Sequence, residues 1–559
     1  MRKLVALFFW IFFMIYANVF ASDEDGLRTF IDKHVKLIKP LEKQLSLAYW
    51  DATQYGKSED YERYADLSLA LSLIYSNKDD FITLKNLKKR NKIGDKLLKR
   101  QLDILYNSYL GNQIDPTLLE EITKKSAEVE EKFNTFIYYI DGKEISNNEI
   151  NNILKEEKNS ILLEKAWKAQ KIIGKEVASD LVELVKLRNK AADSLGFRNY
   201  YEMSLSLSEQ NTKEIIDIFY NLYNLSNESF RQIKNEIDSV LGKRYDVPTQ
   251  DLMPWHYQNP FFQAAPEIYT CNREKYIENE DVVNIAKYFY NSIDMDVSDI
   301  LARSKPLNPA QGKNPHAYTI NIDRRGDIRV FLNLENNIYW LETAMHELGH
   351  AVYYKYMDYD SLPYILRGVP HIFCTEAIAM FFERLPKKAQ WWHDVMGISE
   401  EEKENIDDCL KGTSKYNQLV FARWDMVMTE FERSMYENPD QDLNRLWWQL
   451  KSKYQYLSIP ENWNNPDWAA KIHFTSSPCY YHNYLLGELL ASQFNSYAVK
   501  NVVNMKNNKD VSYYDEMAFG SYLKEKVFSV GNTFKWDEMI RRSTGEDLNA
   551  QYFIDQFIK

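Results

Sequence analysis

The sequence predicts a mostly α-helical chain, and three observations lead to this fold class. The apolar residues of segment 163–195 recur at steps of three, four and seven, as in a helix: Ala166, Ile173, Val177, Leu181, Leu184 and Leu187. With 18 glycines and 16 prolines in 559 residues, the chain has few turns, whereas a β-sandwich needs one about every 8–12 residues. Hydrophobic residues are 45% and charged residues 27%, which is typical of a packed globular protein.

The N-terminus has the three parts of a secretory signal peptide. Two basic residues precede an apolar run from Leu4 to Tyr16, and a short stretch then ends at Ala21 before an acidic segment. The alternative is an uncleaved membrane anchor, but the run is shorter than the ~20 residues of a spanning helix. We therefore expect residues 1–21 to be removed, and the protein to be periplasmic or secreted without stable membrane insertion.

The rest of the chain is helical with one strand candidate. Helical periodicity runs to about Tyr245, and we expect its first part, residues 22–111, to form a helical lid region. Four prolines interrupt the pattern within 246–266. Residues 327–334 are short, β-branched and aromatic, so at most a small β-element precedes the next helices.

Charge and cysteine content exclude two classes of protein. The net charge is −12 and the pI is near 5.5, whereas domains with a large nucleic-acid footprint are usually basic. Four cysteines cannot supply a disulfide framework for so long a chain. An exported protein can still form disulfides, and three complete pairings stay open among these residues: Cys271, Cys374, Cys409 and Cys479.

The segment His346-Glu-Leu-Gly-His350 predicts a metal site. Histidines four residues apart lie on one face of a helix, and both imidazoles can bind one Zn²⁺. Glu347 lies between them, placed to take a proton from a water molecule at the metal. The apolar residues of the segment form a stripe on the other side of the helix: Leu341, Met345, Leu348 and Val352.

A catalytic zinc site needs a third protein ligand and one open position. No His-x-x-Gly-x-x-His continuation follows, which excludes the metzincin arrangement. A second helix is predicted after the turn Gly368-Val-Pro370, and it would return antiparallel and present Glu376. The alternatives are His371, near the start of that helix, and Glu383, which we expect to face solvent.

The segment 336–385 resembles the zinc peptidases whose third ligand is a glutamate. It is similar in particular to the angiotensin-converting enzyme family (peptidyl-dipeptidase A) and to the related thimet oligopeptidase and oligoendopeptidase family. The segment Leu187-Arg-Asn-Lys-Ala-Ala-Asp-Ser-Leu-Gly-Phe-Arg-Asn-Tyr-Tyr201 resembles a signature of both groups. The resemblance implies one catalytic domain over 22–559, and we hypothesise an elongated helical zincin with two halves flanking a deep groove.

Further motifs favour the converting-enzyme side of this resemblance. His316-Ala317 precedes His346 by 30 residues, where the family has a His-Ala pair. The resemblance implies that His316 donates a hydrogen bond to the substrate carbonyl. It also implies that the backbone at Ala317 pairs with the peptide like an added strand.

Two motifs near the C-terminus resemble the family's substrate-binding residues. Lys471-Ile-His473 matches a Lys-x-His motif, which implies that Lys471 holds the substrate C-terminal carboxylate and that His473 contacts the substrate. Tyr481-His-Asn-Tyr484 matches a Tyr-x-x-Tyr motif, in which the first tyrosine binds the carboxylate and the second donates to the oxyanion. The stretch from His473 to Tyr484 is one residue longer than in the family, so Tyr480 is an alternative to Tyr481.

The sequence departs from the family pattern at three places. His482 and Asn483 stand where the family has a chloride-binding arginine, which argues against chloride activation through that site. Met380 stands where the family often has an aspartate that supports a ligand histidine. Gln258 is only a loose counterpart of the glutamine that helps bind the terminal carboxylate.

Taken with the residues, the resemblance implies an exported zinc metallopeptidase that acts on oligopeptides. If the Lys471 clamp lies two residues beyond the zinc, the enzyme releases C-terminal dipeptides. The alternatives are an oligoendopeptidase of the thimet type and, less favoured, a non-catalytic peptide-binding protein on the same scaffold. We expect a monomer, and the natural substrate stays open.

Overall fold

A computed structural model describes residues 22–503 and 510–558, and these residues are predominantly helical. The mostly α prediction is therefore confirmed. The predicted signal peptide, residues 1–21, lies outside the described residues. None of the described helices combines the length and the apolarity that crossing a bilayer requires.

The N-terminal region has a small core of its own. Its helices are α1 (Asp23–Tyr55), α2 (Ser58–Tyr75), α3 (Lys78–Arg90) and α4 (Lys96–Gly111). Ser22 begins α1 with a capping box, because its hydroxyl accepts a main-chain N–H of the first turn. Leu27, Leu84 and neighbouring apolar residues meet in this core, which Tyr364 from the second half of the chain completes. The lid function of this region stays a prediction.

The middle of the chain is mostly helical, with one hairpin and an irregular segment over residues 246–281. Its helices are α5 (Pro116–Thr135), α6 (Asn147–Glu156), α7 (Ser160–Lys171), α8 (Ile173–Ser194), α9 (Tyr200–Leu207), α10 (Thr212–Tyr245), α11 (Val282–Ser292) and α12 (Ser298–Arg303). The antiparallel strands β1 (Tyr138–Ile140) and β2 (Lys143–Ile145) were not predicted. They are too short for a period of two to be recognised. The one available signal is their Asp141-Gly142 turn, a pair that favours tight hairpins.

A second antiparallel pair precedes the motif helix and lies against it. It consists of β3 (Tyr318–Asn321) and β4 (Ile328–Phe331), so the strand predicted within 327–334 is confirmed. Tyr318 and Ile320 pack with Trp50 of α1, whereas Thr319 points to the other side of the sheet. This alternation follows from the period of two along a strand.

The remaining helices bring the motif residues together. They are α13 (Ile338–Lys355), α14 (Ile372–Glu383), α15 (Ala389–Met396), α16 (Glu400–Glu437), α17 (Leu443–Gln455), α18 (His473–Ser476), α19 (His482–Asn501), α20 (Met517–Leu523), α21 (Trp536–Thr544) and α22 (Gln551–Phe557). A Cβ on Gly349 of α13 would lie 2.9 Å from the Cα of Ala379 in α14. A Cβ on Gly487 of α19 would lie 3.3 Å from the Cβ of Glu376. Glycine therefore permits the close packing that seats α14 between α13 and α19.

One disulfide joins an irregular segment to a long helix. Of the pairings that the sequence leaves open, the structure contains Cys271–Cys409, which ties the loop before α11 to α16. Cys374 and Cys479 are buried free thiols. Burial raises the pKa of both thiols, which keeps them protonated and unreactive.

Candidate metal centre

Helix α13 presents its two histidines one turn apart on one face. Asn337 begins the helix by accepting the main-chain N–H of Trp340. The ring centroids of His346 and His350 lie 4.9 Å apart. The predicted apolar stripe on the other side, Leu341, Met345, Leu348 and Val352, is fully buried.

Glu376 of α14 completes a group of three ligand-type side chains. Its Oε2 lies 3.7 Å from Nε2 of His346 and 3.8 Å from Nε2 of His350. The three potential ligand atoms all lie within 4.8 Å of one another. This spacing suits one ion with ligand bonds of about 2.0–2.2 Å, as in zinc sites with histidine and carboxylate ligands.

The two alternative ligands have other roles. His371 is the residue before α14 and accepts the main-chain N–H of Phe373 through its ring, away from the group of three. The expectation that Glu383 faces solvent is wrong, because its Oε2 lies 3.0 Å from Nδ1 of His346. Glu383 follows Glu376 by seven residues, two helical turns, so both side chains project from the same face of α14. That spacing is the sequence signal that could have placed it.

The ring of His350 is held in a similar way. Its Nδ1 lies 2.8 Å from Oγ1 of Thr375, the residue before Glu376. Glu383 in turn accepts a hydrogen bond of 2.6 Å from Lys387. Each histidine therefore has its Nδ1 occupied by α14 and its Nε2 turned towards Glu376, which is the usual arrangement of metal-binding histidines. The sequence did not indicate Thr375.

Burial and the close carboxylates together set the pKa values of this group. It raises the pKa of Glu347 to about 7, although the neighbouring His346 opposes the shift. It also raises the pKa of Glu376, against the same opposing charge. Burial alone would lower the pKa of His346, but the hydrogen bond to Glu383 and the nearby carboxylates raise it to about 9. These buried carboxylates attract positive charge, which a divalent cation would supply.

Glu347 itself is 6% exposed. Oγ1 of Thr319, on β3, lies 2.8 Å from its Oε2 and 2.7 Å from its main-chain oxygen. Thr319 was not among the predicted residues. No spacing in the sequence relates a strand residue to a helix residue 28 positions later.

The tyrosines near α19 divide between the metal group and Lys471. The hydroxyl of Tyr480 lies 3.5 Å from Oε1 of Glu376. The ring of Tyr484 packs against those of Tyr480 and Tyr481, with centroid distances of 5.2 and 5.3 Å. Tyr480 therefore adjoins the metal group, and Tyr484 packs against both Tyr480 and Tyr481.

Lys471 is enclosed by aromatic rings and a glutamine. Its Nζ donates to Oε1 of Gln263 at 2.7 Å and lies 5.3–5.7 Å from the ring centres of Phe261, Trp424 and Tyr481. The hydroxyl of Tyr481 accepts a hydrogen bond of 2.6 Å from Trp424. Burial lowers the pKa of Lys471 to about 8. The described chain gives this cation no carboxylate partner.

The expectation that Gln258 accompanies Lys471 is wrong, because Gln263 takes that place. The side-chain amide of Gln258 donates to the main-chain oxygen of Lys155, and its carbonyl accepts from the N–H of Glu267. The proline-rich segment that contains both glutamines has no periodic structure. Its sequence therefore carries no spacing that could have distinguished them.

The two other histidines predicted for the site, His473 and His316, differ in how closely they approach it. His473 begins α18, and its ring centroid lies 5.2 Å from that of Tyr481. Burial lowers its pKa to about 4. His316 is exposed, and its main-chain N–H donates to Asn314. Within the described chain its imidazole makes no hydrogen bond to the metal group. Ala317 lies half-buried just before β3.

The helical fold, the His-Glu-x-x-His motif and the downstream glutamate are the features of helical zinc metallopeptidases. The sequence profile of the angiotensin-converting enzyme family, peptidase family M2, matches residues 21–558. The chain belongs to this family.

Individual relatives are distant. Angiotensin-converting enzyme of Mesocricetus auratus is 22% identical over 284 residues, 49% of this chain and 21% of that protein. Carboxypeptidase 1 of Bacillus subtilis (strain 168) is 24% identical over 273 residues, 43% of this chain and 51% of that protein. Angiotensin-converting enzyme of Theromyzon tessulatum is 22% identical over 419 residues, 68% of this chain and 66% of that protein. The matches thus span about a fifth of the first relative and half of the second.

Proposed function

We propose that the protein is an exported zinc metallopeptidase that removes dipeptides from the C-terminus of oligopeptides. The observation that carries this proposal is the convergence of His346, His350 and Glu376 beside the buried carboxylate of Glu347. Export rests on the N-terminal sequence alone. The lid role of residues 22–111 likewise rests on the sequence.

The three converging side chains would hold the ion. When bound, Zn²⁺ supplies a Lewis acid that activates water and polarises the scissile carbonyl. Glu383 and Thr375 would fix the two histidine rings through their Nδ1 atoms.

Glu347 is the proposed general base. It takes a proton from the attacking water and later gives it to the nitrogen of the leaving amine. Tyr484 and His316 are proposed to donate hydrogen bonds to the oxyanion as charge develops there. The position of Tyr484 beside Tyr480, whose hydroxyl lies near Glu376, supports this role.

Lys471, Gln263 and Tyr481 are proposed to bind the free C-terminal carboxylate. A half-buried ammonium group without an acidic partner is unfavourable, and a substrate carboxylate would supply that partner. The hydrogen bond from Trp424 occupies an acceptor position of the Tyr481 hydroxyl. The hydroxyl proton of Tyr481 is therefore left to donate to the substrate. His473 is proposed to contact the substrate beside this clamp.

The backbone near Ala317 is proposed to align the peptide. In the described structure β3 pairs only with β4, so the other edge of β3 has no strand partner. An extended peptide could add to that edge by main-chain hydrogen bonds. This geometry would present a peptide bond next to Glu347, which contacts β3 through Thr319.

His482 and Asn483, which lie between Tyr481 and Tyr484 in the sequence, support activity that does not require chloride at this position. Oε1 of Gln210 lies 2.8 Å from Nε2 of His482, and its amide donates to Oδ1 of Asn483 at 3.0 Å. These neutral groups are buried and satisfy one another. No buried cation therefore stands at this position to attract an anion.

Mass spectrometry of products from one peptide with a free and with an amidated C-terminus tests the proposal. We expect successive losses of two residues from the free form and little cleavage of the amidated form. Equal cleavage of both forms would favour an oligoendopeptidase. Peptide binding without hydrolysis by the zinc-loaded wild type would favour a non-catalytic binding protein.

A further inference from the structure

Strand β3 places a hydroxyl group against the proposed base. Oγ1 of Thr319 lies within hydrogen-bonding distance of Oε2 of Glu347, at 2.8 Å, and of its main-chain oxygen, at 2.7 Å. No other side chain in the described part of the protein hydrogen-bonds this carboxylate. Thr319 is therefore the one side chain there whose hydrogen bond restrains the orientation of the Glu347 carboxylate.

The register of the sheet determines this contact. Thr319 pairs with Val330 of β4. Its neighbour Tyr318 packs on Trp50 of α1, whereas Asn321 donates to a tyrosine hydroxyl on the same side as Thr319. A slip of one residue would turn Thr319 away from α13. The strand pairing that would align a peptide thus also delivers the hydroxyl to Glu347.

Because Glu347 is buried, its hydrogen bond with the Thr319 hydroxyl is hard to replace. The residue is only 6% exposed, so few water molecules can replace a lost hydrogen bond. A hydroxyl has one proton to donate. Oε2 and the main-chain oxygen of Glu347 both lie within reach of that proton. When the proton is donated to Oε2, it fixes the plane of the carboxylate and leaves Oε1 as the atom that accepts a proton from water.

Building on the proposed function, we propose that Thr319 is a positioning residue for the general base. Its hydroxyl holds the carboxylate of Glu347 so that Oε1 faces the attacking water. The proton then moves from water to Oε1 and from there to the nitrogen of the leaving amine. In the described structure the hydroxyl of Thr319 hydrogen-bonds Glu347 and none of the three converging ligands, so Thr319 acts through Glu347.

The variant Thr319→Val tests this role, because it replaces the hydroxyl by a methyl group of similar size. A misplaced base costs up to about 100-fold in rate, so we expect kcat to fall roughly 10- to 100-fold. KM should change less than about twofold, and zinc content should stay at one ion per chain, because the metal-binding and clamp residues are unaltered. Thr319→Ser, which keeps the hydroxyl, should restore most of kcat. Thr123→Val is the matched control, since its hydroxyl bonds only a carbonyl of its own helix.

The outcomes separate this inference from the proposed function. If Thr319→Val keeps the wild-type kcat while Glu347→Gln is inactive, the role of Thr319 is overturned and the proposed function stands. If Glu347→Gln hydrolyses peptides as fast as the wild type, the assignment of the base fails, and the role of Thr319 fails with it. If Thr319→Val does not fold, the comparison passes to Thr319→Ser and Thr319→Ala. Equal kcat values for those two would overturn the inference, and a much lower value for the alanine variant would support it.

Discussion

The metal-binding group and the proposed carboxylate clamp are built in different ways. His346, His350 and Glu376 lie on two helices that pack through glycine, so their positions follow from helical spacing. Lys471 and Gln263 come from irregular segments that meet only in the folded chain. A rigid helical pair fixes its side chains by backbone geometry. The clamp depends instead on tertiary contacts, so its residues should tolerate substitution with graded losses.

The largest effect is expected from Glu347→Gln, on the helical pair that carries the metal-binding group. Loss of the general base should lower kcat by about 10²–10⁴-fold, because the amide cannot take a proton from water. Zinc content and KM should stay close to wild type, since Glu347 is not one of the three converging ligands. Steady-state kinetics on a short peptide, together with metal analysis, measure this. A variant with undiminished kcat would contradict the assigned base.

The next largest effect concerns the affinity of the metal-binding group for Zn²⁺. Glu383→Gln removes the carboxylate that lies 3.0 Å from Nδ1 of His346. The dissociation constant for Zn²⁺ should rise about 10- to 100-fold, as is typical when such supporting groups are lost. Competition with a chromophoric chelator measures this without reference to activity.

Glu342→Gln is a matched control for that measurement. Glu342 lies one turn before His346 and pairs with Arg273 and Lys387 rather than with a histidine ring. We expect its Zn²⁺ affinity to stay within about threefold of wild type. Equal losses in the two variants would show that the general charge of the region matters more than the bond to His346.

The convergence of His346, His350 and Glu376 could be predicted from the sequence because it depends on local spacing. The spacing of His346 and His350 follows from one helical turn, and an antiparallel return helix accounts for Glu376. Glu383 was expected to face solvent, although its distance of two helical turns from Glu376 places both side chains on the same face of α14. Thr319 was beyond reach, since its contact depends on how a strand lies against a helix.

The proposed carboxylate clamp is tested by replacing each of the two glutamines in turn. Gln263→Ala removes the partner of Lys471 and should raise KM for peptides with a free C-terminus about tenfold, because a hydrogen bond to a charged group is lost. Gln258→Ala should leave KM unchanged, since Gln258 bonds main-chain atoms elsewhere. Kinetics with free and amidated peptides measure both variants. A larger effect of Gln258→Ala would contradict the arrangement around Lys471.

These glutamines also mark where prediction from sequence ends. The family resemblance led to Gln258, which lies five residues before Gln263, the glutamine that contacts Lys471. In a proline-rich segment no period relates residue number to direction, so neighbouring candidates cannot be ranked. The β1–β2 hairpin was missed for a related reason, because three-residue strands are shorter than any usable pattern.

The smallest expected effect is a pH dependence that belongs to the clamp alone. Burial lowers the pKa of Lys471 to about 8, so its positive charge is present below that pH and is lost as the pH rises through it. Between pH 7 and pH 8.5 kcat/KM for a free C-terminus should fall roughly fourfold, in proportion to the charged fraction. An amidated peptide should lack this fall, and Lys471→Arg should shift it to higher pH, because a guanidinium stays protonated. If kcat/KM of the arginine variant fell over the same pH range, another group would be titrating, and the assignment of Lys471 to the clamp would be contradicted.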